Sequence, residues 1–179
     1  MWIKGNSEER GVFVFQVGDL IVYGNTGVCR VEKIGRPDLA GVPEGVDYYT
    51  LSPYYSQNSK IFTPCDNEKV VMRPVISKKE ARKLVREIPS IQLLIITDEK
   101  KREECYKETM RTCDCREFVS IIKTIYTRKQ ERLAEGKKVT ASDEKYFSMA
   151  EDKLYGELAI ALEMEKNKVK EYIKEKVGS

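Results

Sequence analysis

The 179-residue chain contains no histidine, the side chain that most often serves as a general base at neutral pH and as a metal ligand. It also lacks a phosphate-binding G-x-x-x-x-G-K-[ST] loop, a G-x-G-x-x-G turn and a nucleophile elbow. Because these absences leave no residue pattern that predicts catalysis, the sequence favours a binding protein over an enzyme.

Long hydrophobic runs are absent too. The longest, residues 91–96, is interrupted by Gln92 and is far shorter than the roughly 20 residues that span a bilayer. The first residues mix one tryptophan, charges and glycines, which resembles neither a signal peptide nor a transit peptide. We therefore predict a loose N-terminal extension over residues 1–13, no membrane partner and a cytoplasmic location.

Five cysteines accompany this lack of a secretory signal, so reduced thiols are expected. Cys113 and Cys115 form a C-x-C pair with Cys105 nearby, whereas zinc sites typically use C-x₂₋₄-C pairs and four ligands. A metal or redox site is thus one hypothesis and unrelated thiols are the other. The spacing favours the second, and we predict no metal and no cofactor.

Strand periodicity runs from Val12 to Pro74. Residues 17–23 and 28–34 alternate in the manner of half-buried strands on either side of a glycine-rich turn, and further short strands are predicted at 48–51, 60–64 and 70–74. Five short strands in so few residues predict a small SH3- or Tudor-like β-barrel. We place this domain at residues 14–76.

From Ser77 onward the period becomes helical, which predicts an all-α bundle over residues 77–179 and an α+β, two-domain chain. Capping signals begin the first, third and fourth predicted helices, and Pro89 and Gly136 end the first and the third. The predicted helices run from the Ser77–Glu80 capping box to Pro89, from Asp98 to Arg111, from Asp114 to Gly136, from Thr140 to Leu162 and from Lys166 to Val177.

The formal net charge is +3, and its positive excess lies in the helical half. Lysine and arginine on helix surfaces can bind phosphates, but glutamates alternate with them here, so an ordinary solvated face is equally compatible. The basic positions on or beside the predicted helices are Lys100, Lys101, Arg102, Arg128, Lys129, Arg132, Lys137, Lys138 and Lys145.

Aromatic residues are concentrated in the strand region. A methyl-lysine cage is one interpretation, and barrel core and rim is the one we favour. The residues concerned are Tyr48, Tyr49, Tyr54, Tyr55 and Phe62.

Two motif blocks resemble those of a known family. Residues 15–23 and 27–34 nearly complete the pattern F-x-V-G-D-x-V-V-Y-x-x-x-G-x-x-x-V, with which the CarD/CdnL family opens and which it shares with transcription-repair coupling factor. Residues 48–51 and 61–64 fall where the family's third and fourth strands belong. In the helical half, residues 125–132, 140–145 and 150–162 are similar to its third-helix and fourth-helix signatures, so the resemblance covers roughly residues 14–165.

This resemblance implies a bacterial transcription regulator that binds RNA polymerase and acts without a small-molecule substrate. In the family, the Tudor-like barrel pairs a strand with the polymerase β subunit, and the corresponding residues here are Ile34, Arg36, Lys60, Ile61 and Phe62. The helical domain contacts promoter DNA at the upstream edge of the bubble and stabilises the open complex. The DNA-facing positions correspond to Lys101, Arg102, Arg128 and Lys145, and the expected location is with polymerase on the nucleoid.

The chain departs from the family pattern at two positions. Many members carry a tryptophan wedge where this sequence has Glu99, and an arginine on the fourth strand where it has Phe62. Because a carboxylate cannot stack on an unpaired base and repels phosphate, the alternative of a polymerase adaptor with no direct DNA role stays open.

Overall fold

The computed structural model describes residues 15–56 and 58–178, so the extension predicted over residues 1–13 lies outside the described residues. The chain divides into two compact units between Pro74 and Val75. We refer to residues 1–74 as the β unit and to residues 75–179 as the helical unit.

The β unit is a five-stranded antiparallel sheet with the strand order β4-β3-β2-β1-β5. Its five strands confirm the number predicted from the sequence, whereas closure of the sheet into a barrel stays a prediction. The strands are β1 (Leu20–Tyr23), β2 (Gly27–Gly35), β3 (Tyr48–Pro53), β4 (Ile61–Pro64) and β5 (Met72–Pro74).

Strand β1 begins three residues later than the alternation predicts. Gly18 has a φ of +94°, and the Asp19 carboxylate accepts a hydrogen bond from the Gln16 N–H at 2.8 Å. Since a positive φ is not a strand conformation, residues 16–19 form a turn. The Gly18 N–H is nevertheless bonded to the Val31 carbonyl at 2.8 Å.

Apolar side chains from the first strands form the core of this unit. Phe15 packs against Tyr49 with ring centroids 5.8 Å apart, and its N–H donates to the Tyr49 hydroxyl at 3.1 Å. The buried residues of the cluster are Phe15, Ile21, Cys29, Val31, Tyr49 and Leu51.

The helical unit contains five helices, as predicted. Their bounds are α1 (Lys78–Glu87), α2 (Arg102–Arg111), α3 (Cys115–Ala134), α4 (Ala141–Leu162) and α5 (Lys166–Val177). A 3₁₀ turn over Glu99–Lys101 precedes α2.

N-terminal caps explain where helices begin, and those predicted at Ser77, Asp114 and Thr140 are present. Ser77 and Glu80 form a complete capping box, Asp98 caps the 3₁₀ turn, and Asp114 caps α3. The Thr140 side chain accepts from the Asp143 N–H at 3.1 Å at the start of α4. Each cap satisfies a backbone donor that the helix leaves unbonded.

One core joins all five helices, and its fully buried side chains include Tyr106, Ile121, Leu154 and Leu158. Helices α3 and α4 carry most of it. The irregular segment between α1 and α2 is bonded to α3: the Leu94 N–H donates to Thr124 Oγ1 at 2.8 Å, and Ser120 Oγ donates to the Gln92 carbonyl at 2.7 Å. No helix of the described residues is long and apolar enough to cross a membrane.

Candidate protein-docking edge and nucleic-acid interface

Strand β4 stands at one end of the sheet and pairs with β3. An end strand presents backbone N–H and C=O groups along its outer edge, and these can hydrogen-bond an added strand. On β4, Ile61 lies opposite Leu51 and packs against the core, whereas the exposed Phe62 lies opposite Thr50. The strand therefore combines an anchored side chain with an outward aromatic one.

The structure does not bring all five predicted polymerase-binding residues to one face. Ile34 pairs with Tyr49, and Tyr49 pairs with Thr63, whereas Lys33 pairs with Thr50 across from Phe62. Residues directly opposite one another share a face. Ile34 thus lies on the core side of the sheet near its margin, where it is 38% exposed, and Phe62 lies on the outer side, where it is 39% exposed.

A shift in the register of β2 causes this arrangement. The pairing with β3 is irregular between Val31 and Lys33, and such a bulge reverses the alternation beyond it. Ile34 consequently returns to the same side of the sheet as Val31, although the two are an odd number of residues apart. Strict alternation from the sequence places them on opposite sides.

Arg36 lies just beyond the exit of β2. Its Nη2 donates to the Val42 carbonyl at 3.1 Å, and its Nη1 lies 3.9 Å from a Glu44 carboxylate oxygen. Lys60 is exposed and directly precedes β4. Because β2 and β4 both run antiparallel to β3, Arg36 after the end of β2 and Lys60 before the start of β4 lie near opposite ends of the sheet, about 17 Å apart along the strands at 3.3 Å per residue.

In the helical unit, two of the four predicted DNA-binding residues lie side by side. Arg102 and Arg128, which we call the arginine pair, share the carboxylate of Glu99. Arg102 Nη1 donates to Glu99 Oε2 and Arg128 Nη1 to Glu99 Oε1, each at 2.6 Å. The Glu99 side chain is 62% exposed, whereas those of Arg102 and Arg128 are 14% and 20% exposed.

A second carboxylate lies beneath the arginine pair. Asp143, whose side chain is 2% exposed, accepts from Arg128 Nε at 3.1 Å. Arg102 Nε lies 3.2 Å from Asp143 Oδ1, at ion-pair distance but without the alignment of a hydrogen bond. The Tyr106 hydroxyl also donates to Asp143 Oδ1, at 3.3 Å. Two guanidinium groups and two carboxylates therefore form a locally neutral cluster.

The pKa shifts follow from these contacts. The hydrogen bond from Arg128, supported by that from Arg102, lowers the pKa of Glu99 despite some desolvation. Burial opposes the charged form of Arg128, but its hydrogen bonds to Glu99 and Asp143 outweigh burial and raise its pKa. Burial and the Asp143 charge raise the pKa of Tyr106. All three shifts keep the cluster in its paired form at neutral pH.

The other two predicted DNA-binding residues, Lys101 and Lys145, are exposed. Lys101 directly precedes Arg102, and Lys145 follows Asp143 by two residues on the first turns of α4. Lys145 Nζ lies 5.1 Å from the centroid of the Tyr146 ring, a cation–π distance. These two lysines flank the cluster in sequence and present their charge to solvent.

Sequence reasoning missed the role of Asp143. An acidic residue at the third position of a helix predicts a capping box, and the Asp143 N–H does donate to the Thr140 side chain that caps α4. Its carboxylate instead turns inward to residues far away in the sequence. The sequence shows that Glu99, two arginines and Asp143 all lie in the predicted bundle. No local spacing rule shows that these four residues contact one another.

The cysteines are all free thiols, and Cys29, Cys113 and Cys115 are buried. Cys115 Sγ donates to Glu157 Oε2 at 3.1 Å, while Glu157 Oε1 accepts from the Ile76 N–H at 3.0 Å. Within residues 15–56 and 58–178, no three His, Cys, Asp or Glu side chains are grouped to hold a metal ion.

The aromatic candidates separate into core and surface. Tyr49 is buried, and Tyr54, Tyr55 and Phe62 are exposed. Tyr54 and Tyr55 contact each other edge to face with centroids 5.0 Å apart.

Sequence similarity in the β unit supports RNA polymerase interaction and a transcription-related role. The assignment comes from residues 15–76, which match the family model described as the CarD-like/TRCF RID domain. This match supports a CarD/CdnL-type RNA polymerase-interacting protein and confirms the resemblance in these residues. The family is one of transcription-related interaction domains and is not a known enzyme class.

Proposed function

We propose that this protein is a bacterial transcription regulator that is not an enzyme. In this proposal the β unit, closed into a Tudor-like barrel, binds the polymerase β subunit. The helical unit binds promoter DNA at the upstream edge of the bubble and modulates open-complex stability in the cytoplasm, on nucleoid-associated polymerase. The match of residues 15–76 to the CarD-like/TRCF RID domain carries the proposal.

The polymerase contact would form by strand addition at β4. Backbone hydrogen bonds supply affinity in this mode of recognition, and alternate side chains supply specificity. Phe62 offers an outward aromatic group in place of the family's arginine, so the contact would depend more on apolar burial than on charge. Ile34 and Arg36 would contact the partner where the chain leaves β2.

The DNA contact would depend chiefly on Lys101 and Lys145. The arginine pair is neutralised by Glu99 and Asp143, whereas both lysines are exposed. Linking a weak polymerase contact to a weak DNA contact raises the effective concentration of each for the other. Neither contact then has to be tight alone.

The neutral cluster also favours a second function, a polymerase adaptor with no direct DNA role. Fluorescence anisotropy with an upstream-fork promoter DNA at several salt concentrations separates the two. The DNA-binding function predicts that affinity falls with salt, and that Lys101→Gln with Lys145→Gln lowers the salt slope by roughly one per lysine. Lys79→Gln, at an exposed position on α1, is the matched control. Salt-independent, negligible binding would support the adaptor.

A further inference from the structure

The Glu99 carboxylate bridges the arginine pair from the solvent side. Each of its oxygens accepts a hydrogen bond at 2.6 Å from a different guanidinium. The Nε atoms of the same two guanidiniums are near Asp143, at 3.2 Å for Arg102 and 3.1 Å for Arg128. The arginine pair therefore has one buried carboxylate and one exposed carboxylate, and in the described part of the chain no other carboxylate is within ion-pair distance of it.

The two carboxylates differ in how readily they can move away from the arginine pair. Asp143 is 2% exposed, and its backbone is fixed by the cap of α4. Glu99 is 62% exposed and sits in the 3₁₀ turn of Glu99–Lys101. Exposed ion pairs are weak because water can replace the partner. Rotation of the Glu99 side chain would free two Nη1 donors while Asp143 keeps both guanidiniums oriented.

Arginines bind a phosphate in the same way, because two adjacent guanidiniums can each donate to a different oxygen of one anion. From this arrangement we infer that Glu99 is an internal ligand that occupies a phosphate-binding position on Arg102 and Arg128, so that a DNA backbone phosphate binds there only after Glu99 has moved out. This inference rests on the proposed DNA-binding function. The Glu99 carboxylate then competes with DNA phosphate for the arginine pair and so limits the affinity for DNA.

The competitor has a specific effect on salt dependence. A cationic side chain that gains a phosphate releases a counterion and steepens the fall of affinity with salt. While Glu99 neutralises the arginine pair, a DNA phosphate that binds there only replaces the Glu99 carboxylate. The exposed lysines then determine how steeply affinity falls with salt. Removing the Glu99 charge leaves the two Nη1 donors without an anion, so that DNA phosphate supplies one.

The test measures binding of the full chain to an upstream-fork promoter DNA over a salt series. We expect Glu99→Gln to raise affinity about three- to tenfold at low salt and to steepen the slope by about one, at roughly 0.9 for the one additional phosphate contact. The matched control is Glu103→Gln, which removes the same charge from an exposed position on the first turn of α2. It should change affinity less and leave the slope unchanged.

Two outcomes contradict the inference in different ways. Salt-sensitive binding of the wild type, with equal effects of Glu99→Gln and Glu103→Gln, would overturn the role of Glu99 and leave the DNA-binding function standing. Absence of salt-sensitive binding in both the wild type and Glu99→Gln would overturn both. Urea unfolding of each variant confirms that the fold is retained.

A second measurement locates the binding. In Glu99→Gln, the Nε–H NMR signals of Arg102 and Arg128 should shift on addition of the fork and saturate with the same midpoint as anisotropy. A rise in affinity with these two signals unmoved would place the new contact elsewhere and contradict the inference.

Discussion

The Arg128 guanidinium lies against the Asp143 carboxylate, with Arg128 Nε donating to Asp143 Oδ2 at 3.1 Å in a place where Asp143 is almost fully buried. A buried carboxylate beside a guanidinium is stable because each charge compensates the other, and loss of one partner leaves the other charge buried and uncompensated. This contact joins α3 to the first turn of α4, and Tyr106 brings α2 to the same carboxylate.

We therefore expect Asp143→Asn to lower the free energy of unfolding by about 2–4 kcal/mol. Glu144→Gln, one residue along α4 and exposed, is the matched control and should change stability by less than about 0.5 kcal/mol. Urea unfolding followed by circular dichroism measures both. Equal stabilities of the two variants would show that the buried pair contributes nothing.

At a second buried carboxylate, that of Glu157, two substitutions should lower the free energy of unfolding by different amounts. Glu157 accepts from the Ile76 N–H and from Cys115 Sγ. Alanine at this position removes both acceptors and leaves a cavity, with an expected cost of about 2–4 kcal/mol. Glu157→Gln keeps the volume and one acceptor oxygen, so it should cost clearly less. If the two variants unfold at the same urea concentration, these hydrogen bonds are not what fixes Glu157.

In the β unit, Gly24 has a φ of +44°, and an added Cβ would lie 2.7 Å from Val70 Cγ1. Valine is stiff, so Gly24→Ala combines backbone strain with a clash, and we expect a loss of about 2 kcal/mol or more in stability. Gly41 also has a positive φ, +82°, but open space around it. Gly41→Ala, the control, should cost about 1 kcal/mol. A smaller loss for Gly24→Ala than for Gly41→Ala would contradict this packing.

The lowered pKa of Glu99 predicts a pH dependence with a definite sign. Hydrogen bonds from the arginine pair hold this pKa below its ordinary value of 4.5, so the stability they contribute is present above 4.5 and is lost as pH falls through the folded-state value. The difference in unfolding free energy between wild type and Glu99→Gln should be constant near neutral pH and should shrink in acid. Urea unfolding over a pH series down to about 3 measures it, and a difference that grows in acid would have the wrong sign.

Local signals account for much of the fold. Alternation and turn residues predicted the five strands, and side chains such as Ser77, Asp114 and Thr140 predicted where helices begin, because caps and periodicity act over a few residues. The β2 bulge after Val31 was not predictable in this way. It depends on pairing with β3, and it decides that Ile34 and Phe62 lie on opposite faces.

The candidate site was less accessible from the sequence. Resemblance to a family identified Arg102 and Arg128 as basic positions and Glu99 as a departure, but their mutual contacts span 29 residues of chain between Glu99 and Arg128. Charge patterns treat such residues as independent surface groups. Only the packing of α2, α3 and α4 shows that the arginine pair is neutralised.

Binding of the full chain to an isolated fragment of the polymerase β subunit, measured by isothermal titration calorimetry, tests the central claim most directly. We predict saturable binding, weakened at least tenfold by Phe62→Asp on β4 and unchanged by Val177→Asp, a control at an exposed apolar position at the end of α5. Absence of binding by the folded wild-type chain, or equal binding by Phe62→Asp and Val177→Asp, would contradict docking through this edge of the sheet.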